Sequence, residues 1–268
     1  GENLYKEEIM HVVFVTPEVA PYSSSGNLGQ AVGSLASALS ELDVEVTVFS
    51  PFYEGIQPER FNLARRIIKV DVPVGEETVE VGLLDGKFPS ANVSVVLVDH
   101  PESFQRTGMY GEDGEDYADN HRRFHLLSAA VPRLCEALDI TPDVVHCNDW
   151  QTALTPMLLK GQEDAPRTVF TVHDPAYAGL FDSATLEELG LGYDDYHPEG
   201  IEFHGKVSWL KAGLLQADHV TTHSSVYARE LMTEEPGFAY EGVFAAIKDP
   251  PTRLPPAVAS DTCDPAHD

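Results

Sequence analysis

Strand-length apolar runs alternate with helix-period segments along most of this chain, and this alternation constrains the fold most strongly. The run from His11 to Thr16 has the length and β-branched content of a buried strand. A loop rich in Ser and Gly follows at 21–27, and a second strand is predicted at 44–49. Between them, apolar residues recur on one predicted helix face: Leu28, Val32, Leu35, Leu39 and Leu42. This order of strand, glycine loop, helix and strand opens a doubly wound sheet.

The same alternation continues along the chain. Further strands are predicted at 143–147, 168–173 and 219–222, and further helices at 117–138, 151–160, 206–216 and 226–232. Three β-rich pieces at 66–72, 78–84 and 92–98 are separated by turn residues, which predicts a meander or an added sheet edge. We therefore predict the α/β class, with a doubly wound, mostly parallel, Rossmann-like sheet.

The chain divides into three predicted parts. Residues 1–9 precede Met10 and begin like a protease site used in expression tags, so we expect a tag remnant or a disordered leader. Residues 10–248 carry the α/β pattern. Residues 249–268 contain five prolines and no apolar periodicity, which predicts a linker or tail.

Acidic residues outnumber basic ones by 44 to 17, which gives a net charge of −27. Such a surface repels nucleic acid and anionic membranes, so neither is an expected partner. Two explanations of this negative charge stay open. The surface suits a salt-rich cytoplasm, where salt screens the repulsion, or a missing basic domain balances the charge. No apolar run approaches a bilayer span and no secretory signal precedes Met10, so we expect a cytoplasmic protein.

Polar loops follow the predicted strands at the edge where doubly wound sheets bind ligands. Gly26 and Asn27 end the first such loop, where backbone N–H groups at a helix N-terminus attract phosphate. A simple helix cap explains the same residues. Asp149 follows the strand at 143–147, and its carboxylate suits a sugar hydroxyl or a developing oxocarbenium cation. The alternative is again an N-cap.

His173 and Asp174 lie at the end of the strand predicted at 168–173, directly after residues 168–172, beside a second such loop, which favours a site over a structural histidine. Tyr110 lies between Gly108 and Gly111, where its ring is placed to stack on a sugar face. The residue types and spacings indicate neither a metal site nor a nucleophilic triad. We therefore predict no metal and no cofactor.

Together these segments resemble the glycogen and starch synthases. The segment 142–150 reads Pro-Asp-Val-Val-His-Cys-Asn-Asp-Trp and is similar to the family's Pro-Asp-Val-Val-His-x-His-Asp-Trp. The segment 170–179 resembles Phe-Thr-x-His-Asn-x-Ala-Tyr-Gln-Gly, and 116–124 resembles the Asp-Asn-x-x-Arg-Phe segment. The Pro-Glu-Val-Ala-Pro start of the first loop matches the family's opening, and ordered matches run from about 10 to 248.

The resemblance implies the N-terminal half of a GT-B glycosyltransferase, in which two Rossmann-like domains face each other across a cleft. The family transfers glucose from ADP-glucose, or UDP-glucose in some members, to an α-1,4-glucan with retention. By resemblance, Asp149 and His173 are catalytic and contact the transferred sugar. Tyr110 lines the acceptor side, Gly26 lies near the donor phosphates, and Asn27 and Asp174 complete the substrate-binding set.

Several positions depart from the family pattern. The glycine-loop lysine is Ser24, the second glycine is Asn27, and the histidine before the catalytic Asp is Asn148. Gln151 and Asp174 replace a further histidine and an asparagine. The matched segments belong to the first domain only, so we expect this chain to lack transfer activity unless a separate second GT-B domain completes the cleft. The alternative is a non-catalytic relative that binds glucan or a partner protein.

Overall fold

The computed structural model describes residues 9–223, 242–243, 247, 249 and 251–254. Its strands are β1 His11–Val15, β2 Glu45–Pro51, β3 Ala64–Arg65, β4 Val70–Val74, β5 Glu77–Lys87, β6 Val93–Asp99, β7 Gly111–Glu112, β8 Glu115–Asp116, β9 Val144–Asn148, β10 Arg167–Val172, β11 Leu180–Phe181, β12 Glu202–Phe203, β13 Lys206–Ser208, β14 His219–Thr222 and β15 Thr252–Arg253. Its helices are α1 Asn27–Ser40, α2 Pro101–Phe104, α3 Asn120–Ala137, α4 Thr155–Leu159, α5 Ala184–Glu188 and α6 Trp209–Gln216, with 3₁₀ turns at Pro58–Phe61 and Trp150–Thr152.

The main sheet has its parallel strands in the order β15-β14-β10-β9-β1-β2-β6. From β1 the chain builds outward through β2 and β6 on one side, and it then returns to build β9, β10 and β14 on the other. The switch in direction lies between β1 and β9, and ligands of such sheets bind beside the carboxyl ends of the strands at this point. The predicted doubly wound, mostly parallel sheet is confirmed.

The centre of the sheet is apolar because it is covered on both faces. Val13, Phe14 and Val15 of β1 have no exposed surface, and the strand reads as a continuous apolar run rather than as an alternating one. On α1 the buried positions are the small residues Gly29, Gly33 and Ala36 together with Val32. The core therefore fixes the positions of the loops that leave β1, β9 and β10.

The predicted meander at 66–98 forms the antiparallel edge of the sheet. Strand β6 pairs in parallel with β2, and β5 then pairs antiparallel with β6. Strands β3 and β4 both pair antiparallel with β5. At the opposite edge, β15 lies within the predicted tail and pairs in parallel with β14.

Three local expectations differ from the structure, and a fourth is not tested by it. Leu42 lies beyond the end of α1 and is 70% exposed, because the chain turns after Ser40 to enter β2. The helix expected at 151–160 is a 3₁₀ turn followed by the short α4. The first residues of the helix expected at 206–216 form β13, because they pair with β11 and β12. The helix predicted at 226–232 lies outside the described residues.

Candidate functional site

A cavity of about 520 Å³ opens beside the carboxyl ends of β1, β9 and β10. All six residues predicted to form the site line it: Gly26, Asn27, Tyr110, Asp149, His173 and Asp174. They come from four separate loops, and the strand order between β1 and β10 brings those loops together. The structure thus places the predicted residues in one cavity, and the chemical role of each remains a prediction.

Asp149 leaves β9 with an unusual backbone conformation, at φ 57° and ψ 178°. This region suits glycine almost alone, and other residues hold it at a cost of about 1–3 kcal/mol. Its carboxylate accepts hydrogen bonds from the backbone N–H groups of His173 at 2.7 Å and Asp174 at 3.4 Å, both through Oδ1. It makes no capping bond to the turn that follows it, so the helix-cap alternative is wrong.

Burial raises the pKa of the Asp149 carboxyl to about 7. The two backbone N–H donors oppose this shift, while the nearby carboxylates of Asp174 and Glu18 add to it. A carboxyl group in this environment changes its charge near neutral pH, which is typical of groups that take part in binding or catalysis.

His173 lines the cavity from the end of β10, directly beside Asp149. Its Nε2 lies 2.9 Å from Oδ1 of Asn148. Its ring is tilted against that of His223, with centroids 4.6 Å apart. Burial, together with His223 and His146, lowers the pKa of His173 to about 3, so the imidazole is neutral at physiological pH.

Glu18 joins the glycine loop to Tyr110. It follows β1 and is only 2% exposed. One carboxylate oxygen accepts from the backbone N–H groups of Ser25 at 3.3 Å and Gly29 at 3.2 Å. The other accepts from the Ser25 hydroxyl at 2.7 Å and the Tyr110 hydroxyl at 2.8 Å. Because the Tyr110 proton is bonded to Glu18, the phenolic oxygen presents only lone pairs to the cavity.

The loop that carries Tyr110 is held by α3. The Tyr110 carbonyl accepts from Asn120 Nδ2 at 2.8 Å, and the Met109 carbonyl accepts from Arg123 Nη1 at 3.0 Å. Arg123 has no exposed surface, and its guanidinium lies over the Tyr117 ring. Asn120 and Arg123 of the segment 116–124 therefore support the cavity from behind, whereas Asp116 at its start lines the cavity.

Gly26 and Asn27 begin α1 at the mouth of the cavity. Gly26 precedes the helix and Asn27 is its first residue, so the family's second glycine is replaced without a left-handed backbone. Gly26 has no side chain to cap the helix, but Glu18 accepts the backbone N–H of Gly29 in the first turn. Ser24, at the lysine position of the family, donates to the Gly26 carbonyl at 3.0 Å. Ser24 therefore brings no positive charge to this loop, and its hydroxyl is bonded within the loop.

Sequence reasoning did not assign several residues that line the cavity: Glu18, Ser25, Leu28, Asp116, Trp150, Gln151 and Tyr177. Glu18 belongs to the Pro-Glu-Val-Ala-Pro motif, but the motif gives no indication that it contacts Tyr110, 92 residues away. Gln151 has a buried Oε1 with no hydrogen-bond partner. Tyr177 is 66% exposed and presents an aromatic ring at the rim.

The described residues contain no group of three or more His, Cys, Asp or Glu placed to hold a metal ion. In the same part of the chain, every helix is too short or too polar to cross a bilayer. The cavity instead offers carboxylates, an imidazole, a phenol and a helix N-terminus. These groups can accept hydrogen bonds from several hydroxyls and can bind an anion at one end.

Comparisons with known proteins agree with this geometry. The chain is 39% identical over 239 residues to a glycogen synthase of Thioalkalivibrio sulfidiphilus, an alignment that covers 87% of this chain and 49% of that protein. It is 36% identical to a glycogen synthase of Halorhodospira halophila, covering 97% and 54%. The chain thus spans about half the length of the curated relatives it matches.

Among solved structures, the catalytic domain of starch synthase IV from Arabidopsis thaliana, bound to ADP and acarbose, superposes with a TM-score of 0.87 at 26% identity. The match covers 96% of this chain and 54% of that one, and it confirms the GT-B half that the sequence predicts. The family model for the starch synthase catalytic domain matches residues 11–246. The chain therefore belongs to the starch synthase catalytic domain family.

Proposed function

We propose that this chain forms one half of a glucosyltransferase that moves glucose from ADP-glucose to the end of an α-1,4-glucan with retention. The observation that carries the proposal is the convergence of Asp149, His173, Tyr110 and the N-terminus of α1 on one cavity at the switch point of the sheet. The Arabidopsis relative binds ADP and acarbose, which supports an adenine nucleotide donor and a glucan acceptor.

Each cavity residue has a proposed role that follows from its position. The N-terminus of α1 at Gly26 and Asn27, where Glu18 binds the N–H of Gly29 but not those of Asn27 and Leu28, faces the donor diphosphate. Asp149 and His173 hold the transferred glucose, and the ionised Asp149 stabilises the positive charge that develops on the sugar ring. Tyr110 holds the acceptor through its phenolic oxygen and its ring. Asp174 adds a carboxylate at the rim that accepts from a further sugar hydroxyl.

A second domain is needed to neutralise the leaving diphosphate. The loop residue Ser24 brings no positive charge, and the carboxylates of Glu18, Asp149 and Asp174 surround the cavity. An anionic donor is repelled by this half alone. We therefore propose that basic side chains come from a second GT-B domain, either in the same longer polypeptide or in a separate one.

The test measures transfer of labelled glucose from ADP-glucose to glycogen. We expect no incorporation above background with the purified 268-residue chain, and incorporation when a second GT-B domain is supplied, either in the same polypeptide or as a separate one. A full-length glycogen synthase of a relative serves as the positive control. Transfer by the chain alone, abolished by His173→Ala, would contradict the need for a second domain. If no glucose is transferred even with the second domain present, the proposal that this chain is half of a glucosyltransferase is wrong.

The second candidate is a relative that binds glucan without transferring glucose, and the replacement of the loop lysine by Ser24 favours it. A variant with lysine at position 24 distinguishes the glucosyltransferase from the binding relative. Ser24→Lys should raise transfer by the completed enzyme if the lost cation limits the reaction, because a positive charge near the donor phosphates stabilises the leaving group. Maltooligosaccharide binding by calorimetry, with no transfer by either variant, would establish the binding relative instead.

A further inference from the structure

We propose that Asn148 is a positioning residue that fixes His173 in the tautomer protonated at Nε2, so that Nδ1 presents only a lone pair to the cavity. The first step concerns the amide of Asn148, which is 2% exposed. Its Nδ2 lies 3.2 Å from the Val15 carbonyl and 3.3 Å from the His146 carbonyl. Both partners only accept hydrogen bonds, so the amide nitrogen must face them and Oδ1 must face His173.

The second step concerns the imidazole. Because Oδ1 of Asn148 has no proton to give, the 2.9 Å contact requires a proton on Nε2 of His173. Burial next to His223 and His146 keeps the ring neutral, so its other nitrogen is unprotonated. No residue in the described part of the chain bonds to Nδ1, and His173 lines the cavity. Nδ1 therefore accepts a hydrogen bond from a ligand hydroxyl and cannot donate one.

This assignment is specific to asparagine. A histidine, which the related synthases carry at this position by resemblance, can either donate or accept through its ring and does not by itself select one tautomer. Asn148 and Asp149 also act on His173 together, since Asp149 Oδ1 accepts the backbone N–H of the same residue. Two consecutive residues at the end of β9 thus hold both the side chain and the main chain of His173.

Two other groups in the cavity also present hydrogen-bond acceptors. The Tyr110 oxygen is restricted to lone pairs by Glu18, and Asp149 presents a second carboxylate oxygen. When Asp149 is ionised, these acceptors favour the hydroxyl groups of a ligand, whereas Asn27, Gln151 and the N-terminus of α1 supply donors elsewhere in the same cavity. This part of the inference rests on the proposed function, and it names the hydroxyl protons of the glucose unit as the groups that the site recognises.

The test reads the tautomer directly. The 268-residue chain is labelled with ¹⁵N-histidine, and His173 is assigned among the 11 histidines by the signals lost in His173→Gln. Nitrogen chemical shifts distinguish a protonated ring nitrogen from an unprotonated one. We expect a proton on Nε2 and no titration of the ring between about pH 5 and 8, since buried histidines resist charging. A proton on Nδ1 in the wild-type chain would overturn the proposal.

Two nearly isosteric variants supply a matched control. Asn148→Leu and Asn148→Asp both lose the bonds to Val15 and His146, but only aspartate keeps an acceptor for His173. Because Asn148→Asp also buries a carboxyl group, we expect it to be the less stable of the two. We expect Asn148→Asp to keep the Nε2 proton and to raise the pKa of His173, and Asn148→Leu to give a mixture of tautomers. A folded Asn148→Leu chain with wild-type shifts contradicts the positioning role. If Asn148→Leu does not fold, the position of the His173 proton in the wild-type chain and in Asn148→Asp tests the positioning role.

Binding separates this inference from the proposed function. We expect Asn148→Leu to weaken maltotriose or ADP-glucose binding about three- to tenfold by calorimetry, the loss of one hydrogen bond. Unchanged affinity with mixed tautomers would remove Nδ1 from the ligand contacts. A third outcome is that the wild-type chain, completed by a second domain, has the expected tautomer and still binds neither probe. That result would contradict the proposed function and leave the tautomer assignment intact.

Discussion

At the scale of single residues, Asp149 combines an unfavourable backbone with a deeply buried carboxyl group. Its φ of 57° and ψ of 178° place the carboxylate beneath His173 and Asp174, where two backbone N–H groups hold it. The conformation is thus maintained by the surrounding sheet rather than by the residue's own preference. Strain of this kind, together with the raised pKa, marks the position as one selected for something other than stability.

Replacing Asp149 by glycine and by alanine should separate the strain from the lost carboxylate. Both variants remove the same hydrogen bonds, but only glycine adopts this conformation freely. We expect Asp149→Gly to be more stable than Asp149→Ala by about 1 kcal/mol, because the strain of about 1–3 kcal/mol exceeds the extra freedom of glycine in the unfolded chain, about 0.4–1 kcal/mol. Urea unfolding measures the difference. Equal stabilities would show that the backbone at 149 relaxes.

At the scale of elements, the loop between β10 and β11 connects the cavity to a second layer of structure. It carries Asp174 and Tyr177 at the rim, and Gly179 then packs against the indole of Trp150. The Gly179 carbonyl accepts from the backbone N–H of Trp209, the first residue of α6, at 3.1 Å. The loop is therefore anchored at one end by the indole and by a helix N-terminus.

Gly179→Ala should destabilise the chain more than Gly205→Ala. Both glycines have a positive φ, of 58° and 79°. A Cβ at 179 would lie 2.6 Å from the Trp150 ring, whereas none of the chain lies within 4 Å at 205. The contact should add about 1–3 kcal/mol to the loss, as over-packing of cores does. Thermal unfolding of the two variants compares them, and equal losses would mean that Trp150 moves aside freely.

At the scale of the whole molecule, the excess of acidic residues governs how the protein responds to salt. Arg65, Arg66 and Lys69 each pair with an acidic residue, as do Arg106, Arg122 and Lys206. Salt weakens such exposed pairs, but each is worth at most about 1 kcal/mol. The 44 acidic residues exceed the 17 basic ones by 27, so the chain carries a large net negative charge. Repulsion among the acidic residues outweighs the pairs.

We therefore expect the midpoint of thermal unfolding to rise between about 0.1 and 1 M sodium chloride, as the screening length falls from about 10 to 3 Å. The measurement is differential scanning calorimetry of the 268-residue chain. An uncharged osmolyte at the same osmotic strength is the control, because it leaves the charges unscreened. A midpoint that stays constant or falls in salt would show that this surface carries no net repulsive cost.

The main-sheet strands and the loops that bear the site residues could be predicted from the amino-acid sequence. Periodicity and β-branched content are local properties, so β1, β9 and β10 were predicted close to their observed bounds. The carboxyl ends of parallel strands share one edge, so Asp149, His173 and Asp174 were expected together there. The fold class is confirmed for the same reason. The exposed Leu42 was misplaced because helix periodicity does not show where the chain must turn.

Only the tertiary structure decided the contacts that set the polarity of the site. Glu18 meets Tyr110 across 92 residues, and Asn148 meets His173 across 25. Strand β13 exists because β11 and β12 pair with it, although its residues read as part of a helix. Hydrogen bonds between distant segments depend on the geometry of the assembled sheet, and no local pattern encodes which donor meets which acceptor.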